Sequence, residues 1–180
     1  MEHVCSYRHV WTLDNFLRRM IHKPEIIYAP YVKPGMSVLD IGCGAGFASL
    51  ALAGLVGDGG SVTCVDLQQE MLDRVKNKFE NSVMAGRARF QRCAADSLNV
   101  AGTFDFANAF WMVHEVPDVT GFLRQVHACL NPGGLFFIAE PKFHVKPNNF
   151  QKMIEDAGAI GFSVSSRPSV RLSMSVVLAK

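Results

Sequence analysis

The chain has 180 residues, 49% of them hydrophobic with 13 Phe, and only 19% charged. That length suits one domain, and the apolar content excludes a disordered or highly charged tail. Its 18 Lys and Arg against 16 Asp and Glu leave a net charge of +2, too weak a field for nucleic acid or an anionic membrane surface, so a small-molecule partner is expected. The five cysteines (Cys5, Cys43, Cys64, Cys93 and Cys129) are odd in number and form no C-x-x-C pair, which predicts neither a disulfide framework nor a zinc knuckle. Glu2, His3 and Arg8 stand where a secretory leader needs an apolar run, and no stretch of 18 apolar residues follows. A soluble cytoplasmic chain in a reducing compartment is the expectation.

Trp11 to His22 carries Leu13, Phe16, Leu17 and Met20 at helical spacing, and Pro24 opens a second short helix ending near Tyr31. Residues 1–35 therefore read as an N-terminal helical arm and 36–180 as the domain proper. The arm either covers a sheet edge or acts as a lid over a ligand.

From Met36 the pattern is strand, turn, helix. MSVLDI is a short apolar run, GCGAG a tight turn, and FASLALAGLV a helix running to Gly54 and Gly57. SVTCVDL (Ser61 to Leu67) is a second strand ending in an acid, and Met71, Leu72, Val75 and Phe79 lie on one face of the helix after it. ARFQRCAAD (Ala88 to Asp96) repeats the theme. TFDFANAF (Thr103 to Phe110) is a fourth strand, after which Asp118 caps a helix with the stripe Phe122, Leu123, Val126 and Leu130, stopped by NPGG. LFFIAE is the fifth strand, and a helix from about Asn148 to Ala157 follows. The runs FSVSSRP and VRLSMSVVLA lie too close together for a crossover helix, so they pair antiparallel. The fold class is α/β, a doubly wound, mostly parallel sheet.

The glycine turn narrows the ligand. A phosphate-binding loop of the G-x-x-x-x-G-K-[ST] type needs a cation, yet no Lys or Arg occurs between Lys33 and Arg74. A dinucleotide fingerprint needs a small residue where Phe47 stands, so a nicotinamide or flavin oxidoreductase is disfavoured. What remains is acidic on both sides of the turn. Asp66, 20 residues past Gly46, suits a ribose diol, and Asp40 is placed to meet an ammonium group. A ligand with a ribose and a cationic end, such as S-adenosylmethionine, has both features.

VLDIGCGAGFASLALA followed by SVTCVDLQQEML, then Asp96, FDFANAFWMVHEV and LNPGGLFFIAEP, resembles the class I S-adenosylmethionine-dependent methyltransferases, over the chain from about Lys33 onward. The resemblance implies a Rossmann-like methyltransferase fold of seven strands with an antiparallel last strand, S-adenosyl-L-methionine as cofactor and S-adenosyl-L-homocysteine as product. It also implies roles for named positions. Gly42, Cys43 and Gly44 would lie against the methionine end with Asp40 near its ammonium, while Asp66 would hold the ribose and Leu67 and Met71 would flank the adenine. Ala95, Asp96 and Ser97 would meet the adenine edge, and Phe110 the methionine moiety and transferred methyl.

Methyl transfer is an in-line displacement that alignment alone can accelerate, so a base matters only where the acceptor must lose a proton. His114 is the candidate, with Glu115 beside it. The strand-four end lacks the N-P-P-[YFW] turn of amino-directed nucleic-acid methyltransferases, since Asn108-Ala109-Phe110-Trp111 has neither proline. The expected acceptor is therefore a small molecule offering O, N or C, walled by Trp111, Met112, Val113, Phe143 and His144. The alternative is an S-adenosylmethionine-binding protein inactive alone and dependent on a partner chain. A homodimer or a partner protein remains open; no metal, membrane or nucleic-acid contact is expected.

Overall fold

The computed structural model describes residues 22–180. The helix expected over Trp11 to His22 lies, but for His22 itself, outside them. The chain runs α1 (Pro24–Tyr28), β1 (Ser37–Ile41), α2 (Ser49–Val56), β2 (Ser61–Asp66), α3 (Gln69–Glu80), β3 (Ala88–Arg92), β4 (Phe104–Phe110), α4 (Val119–Cys129), β5 (Leu130–Pro141), α5 (Pro147–Ile160), β6 (Ser163–Ser166) and β7 (Ser173–Ala179). Single 3₁₀ turns at Ala85–Arg87 and Val113–Glu115 precede β3 and α4.

The seven strands form one sheet in the order β3-β2-β1-β4-β5-β7-β6. β3, β2, β1, β4 and β5 are parallel, and β7 is antiparallel to both β5 and β6. The antiparallel pairing of the last two runs follows from their short connection. Order reverses at the β1/β4 junction, and the crevice beyond the carboxyl ends of such neighbours is where open α/β sheets hold ligands.

Alternation along the strands sends apolar side chains to both faces. Leu39, Ala107, Phe136 and Ile138 pack with Phe122, Leu123 and Val126 of α4 and Phe150 and Ile154 of α5. Val38, Phe106 and Phe137 pack on the other face with Leu52 of α2 and Val75 and Phe79 of α3. Tyr28 and Val32, from the segment read as the arm, are fully enclosed in this second core.

Local signals explain most boundaries. The four apolar positions of α3 are all buried. The Asp118 carboxylate accepts from Gly121 N at 2.9 Å and caps α4. Pro147 starts α5 with Lys146 extended before it. Two expectations are corrected. The NPGG stretch does not separate helix from strand: β5 begins at Leu130, paired with Phe104, and the extra residues are absorbed in a bulge before Leu135 meets Phe106. The third strand ends at Arg92, and Cys93 to Asp96 leave it as loop.

Candidate active site

A cavity of about 760 Å³ opens at the carboxyl ends of β1, β2, β3 and β4. Its first wall is the turn after β1, where Gly42, Gly44 and Gly46 take φ of +63°, +52° and +86°, a region open to glycine without a Cβ clash. The three glycines answer to different constraints. A Cβ on Gly42 would stand 2.9 Å from Met112 Cγ, and one on Gly46 only 2.7 Å from Val75 Cγ2, whereas one on Gly44 meets nothing within 4 Å. Gly44 thus faces open cavity, and the other two allow close packing.

Asp66 ends β2. One carboxylate oxygen accepts from Gly44 N and the other from Gln68 N, both at 2.9 Å. Burial raises its pKa against the lowering effect of these backbone donors. Each oxygen keeps a second lone pair for a ligand hydroxyl.

Asp40 is the most enclosed acid, 1% exposed. It accepts from Ser49 Oγ at 2.5 Å and from Asn108 Nδ2 at 2.7 Å. Burial pushes its carboxyl up to about 6, with both hydrogen bonds opposing. Asn108 Oδ1 is buried without a partner among the described residues, so a carbonyl acceptor stands beside the Asp40 carboxyl. Cys43 is held well above the usual thiol range by its hydrogen bond with Cys64 and by burial, which suits an inert spacer and not a nucleophile.

On the next wall, Ala95, Asp96 and Ser97 follow β3 in a tight loop closed by Ala94 N donating to Ser97 O at 2.8 Å. Gln125 of α4 secures it: its Nε2 donates to Asp96 O at 2.8 Å, and its Oε1 accepts from Leu98 N at 2.9 Å. Leu67, just after β2, and Met71, in the first turn of α3, line the same cavity, as do Phe110 at the end of β4 and Trp111 and Met112 just beyond it. Phe110 packs within an aromatic group that includes Phe47, tilted against it at 5.1 Å, and His22, edge-on at 5.4 Å. Phe47, expected to exclude a dinucleotide, is a buried part of this wall.

His114 lies at the far end in the 3₁₀ turn. Its Nδ1 is 2.5 Å from a carboxylate oxygen of Glu140, whose other oxygen accepts from Val113 N at 3.0 Å. Its ring also lies against His144, with centroids 4.7 Å apart. Burial lowers the His114 pKa, but the hydrogen bond and charge of Glu140, with Glu115 adding, outweigh it and raise the net value.

Structure therefore brings Asp40, Gly42, Cys43, Gly44, Asp66, Leu67, Met71, Ala95, Asp96, Ser97, Phe110 and His114 around one cavity. Of the residues expected to wall an acceptor, Trp111 and Met112 do so. Val113 is instead packed in the core, 2% exposed, and its N–H donates to Glu140. Phe143 and His144 do not line the cavity but back Trp111 and His114 by ring contacts. Sequence reasoning missed Glu140, Asn108 and Gln125. Glu140 had a signal, an acid closing the apolar strand LFFIAE as Asp66 closes β2. The cation-free stretch around the turn is also not cation-free in space, since Lys78 Nζ reaches back from α3 to Ala45 O at 2.8 Å. Among the described residues no group of three or more His, Cys, Asp and Glu could hold a metal ion, and no helix is long and apolar enough to cross a membrane.

The fold and this glycine-turn site define a class I S-adenosylmethionine-dependent methyltransferase domain. Residues 38–134, more than half of the chain, match the family described as methyltransferase domain, and the chain belongs to that family. It is similar to the ubiquinone biosynthesis O-methyltransferase of Methylocella silvestris, 36% identical over 116 residues that cover 64% of this chain and 44% of the relative. It also resembles the demethylmenaquinone methyltransferase of Staphylococcus epidermidis, 26% identical over 138 residues, 75% of this chain and 55% of the relative. The chain thus spans about half the length of these relatives. In fold it superimposes on a S-adenosylmethionine-dependent methyltransferase from Aquifex aeolicus with a TM-score of 0.86 and 23% identity, over 98% of both chains.

Proposed function

We propose that this protein transfers a methyl group from S-adenosylmethionine to a small-molecule acceptor. The observation that carries this reading is the pairing of Gly44, whose missing Cβ faces open cavity, with Asp66, whose carboxylate is held by that glycine's own N–H. Together they form a cradle for a ribose with a backbone surface for the chain leading from it. The residues present fit the cofactor. Asp40 and the free Asn108 carbonyl supply acceptors for an ammonium, and Asp66 supplies lone pairs for two hydroxyls. Leu67 and Met71 offer apolar faces for adenine, Asp96 with Ala95 and Ser97 an edge, and Phe110 a wall beside the methionine end.

When bound, S-adenosylmethionine supplies an electrophilic methyl on a sulfonium. The protein's part is to hold donor and acceptor in line and to exclude water, for which the aromatic wall of Phe47, Phe110 and Trp111 is suited. His114 is the side chain available to take a proton. The division into an arm of residues 1–35 and a domain of residues 36–180 is proposed with Tyr28 and Val32 of the arm built into the domain core.

The relatives' names, O-methyltransferase and demethylmenaquinone methyltransferase, favour a quinone-like small acceptor over a macromolecule. The test is turnover with methyl-labelled donor over a panel of phenols, amines and activated methylene compounds. Labelled small-molecule product supports the proposal; bound cofactor with no product across the panel rejects it. That second outcome would favour a cofactor-binding chain that needs a partner.

A further inference from the structure

His114 carries more organisation than a turn residue requires. The acid it meets comes from a different strand, 26 residues away, and is buried to 2% exposure at the end of β5. Burying a carboxylate is costly unless it is hydrogen-bonded and paired. Glu140 meets both conditions: one oxygen accepts from Val113 N, which fixes the turn carrying His114, and the other meets His114 Nδ1. A carboxylate accepts only, so Nδ1 carries the proton and Nε2 is left with the lone pair. The hydrogen bond that His114 makes among the described residues is through Nδ1, and the residue borders the cavity with its side chain 18% exposed. His144 packs on the ring from the loop after β5, which stops it from swinging away.

We propose that Glu140 is a positioning residue that locks His114 in the Nδ1–H tautomer, making Nε2 a general base for an acceptor that carries an acidic O–H, such as a phenol or enediol. This rests on the methyltransferase reading and narrows its acceptor class. The acceptor oxygen gives its proton to Nε2 as its electron pair forms the bond to the methyl carbon. The carbon–sulfur bond breaks with its pair passing to sulfur, leaving a neutral thioether, a methyl ether and an imidazolium beside Glu140. An amine that is already unprotonated would need no such base. The charged and titratable groups facing His114 are Glu140 from β5, Glu115 from its own turn and His144 from the loop after β5.

Two measurements on the full chain test this. In the ligand-free protein with ¹⁵N-labelled histidine, NMR should show His114 as the Nδ1–H tautomer when neutral. In Glu140→Gln, which keeps an acceptor for Val113 N but removes the charge, its pKa should fall by about one unit or more and the tautomer preference weaken. With a phenolic acceptor, the acid limb of the kcat profile should follow the same shift. His114→Gln should lower kcat on phenols roughly 100-fold or more while S-adenosylmethionine affinity stays within about twofold. An Nε2–H tautomer in the wild type, or an acid limb unmoved in a folded Glu140→Gln, overturns the proposal. The NMR arm needs neither donor nor acceptor, so failure of the dyad is distinguishable from failure of the methyltransferase reading itself.

Discussion

The Asp66 carboxylate accepts the Gly44 N–H at 2.9 Å, joining the end of β2 to the turn after β1 across 22 residues of sequence. The two groups proposed to meet the cofactor are thereby one rigid unit, set before any ligand arrives. Replacing Asp66 with Ala removes the acceptor for the Gly44 and Gln68 N–H groups and two contacts to a ribose. Cofactor affinity should fall by roughly 1 to 3 kcal/mol. Unchanged affinity in a variant with native circular dichroism would show that the ribose lies elsewhere.

The glycines of the turn separate folding from binding. Gly46→Ala forces a methyl to 2.7 Å from Val75 Cγ2 at φ +86° and should depress Tm strongly. Gly44→Ala meets nothing within 4 Å, so only its backbone conformation at φ +52° costs stability, about 1 to 2 kcal/mol. Its methyl nevertheless occupies the space assigned to the cofactor. Thermal melts paired with S-adenosylmethionine titration should find Gly44→Ala folded and deficient in binding.

Asp40 ties stability to pH. Its carboxyl stands at about 6 in the folded chain against an ordinary value of 3.8. The folded state therefore binds the proton more tightly, and stability from this group is greatest below pH 3.8 and lost as pH rises through about 6. Two pKa units amount to roughly 3 kcal/mol. Asp40→Asn keeps groups able to pair with Ser49 and Asn108 without the charge, so its melting temperature should fall less than wild type between pH 4 and 7. Asp66, also raised by burial, leaves a residual slope in both. A bound cation favours the ionised carboxyl, so wild-type affinity for S-adenosylmethionine should rise with pH across this window and that of Asp40→Asn should rise less.

Gln125 holds the Asp96 loop by two hydrogen bonds from α4. Gln125→Ala should cost about 1 kcal/mol or slightly more and speed exchange of the Leu98 amide, which loses its acceptor. Hydrogen exchange by mass spectrometry over residues 93–99 would detect this. Unaltered exchange there would mean the loop is held by its own turn bonds alone.

How legible all this was in the sequence depends on where each signal is stored. The β1 turn and α2 are written contiguously in VLDIGCGAGFASLALA, and Asp66 is marked by its place at the end of a β-branched run. The antiparallel final pair follows from a linker too short for a crossover. By contrast, the sheet order that inserts β7 between β5 and β6 is a property of packing, with no residue that announces it. The Glu140–His114 and Asn108–Asp40 pairs are created by strand neighbours 26 and 68 residues apart. The NPGG misreading has a similar cause: Gly133 at φ +77° reads as a stop, but pairing of Leu130 with Phe104 keeps the segment in the sheet.

The acidic glycine cradle is proposed to select S-adenosylmethionine. Calorimetric titration of the full chain with S-adenosylmethionine, S-adenosylhomocysteine and NADH tests it most directly. Saturable binding of the first two at one site per chain, with no response to NADH, is the expected result. Saturable NADH binding with no heat from either adenosyl ligand would contradict it.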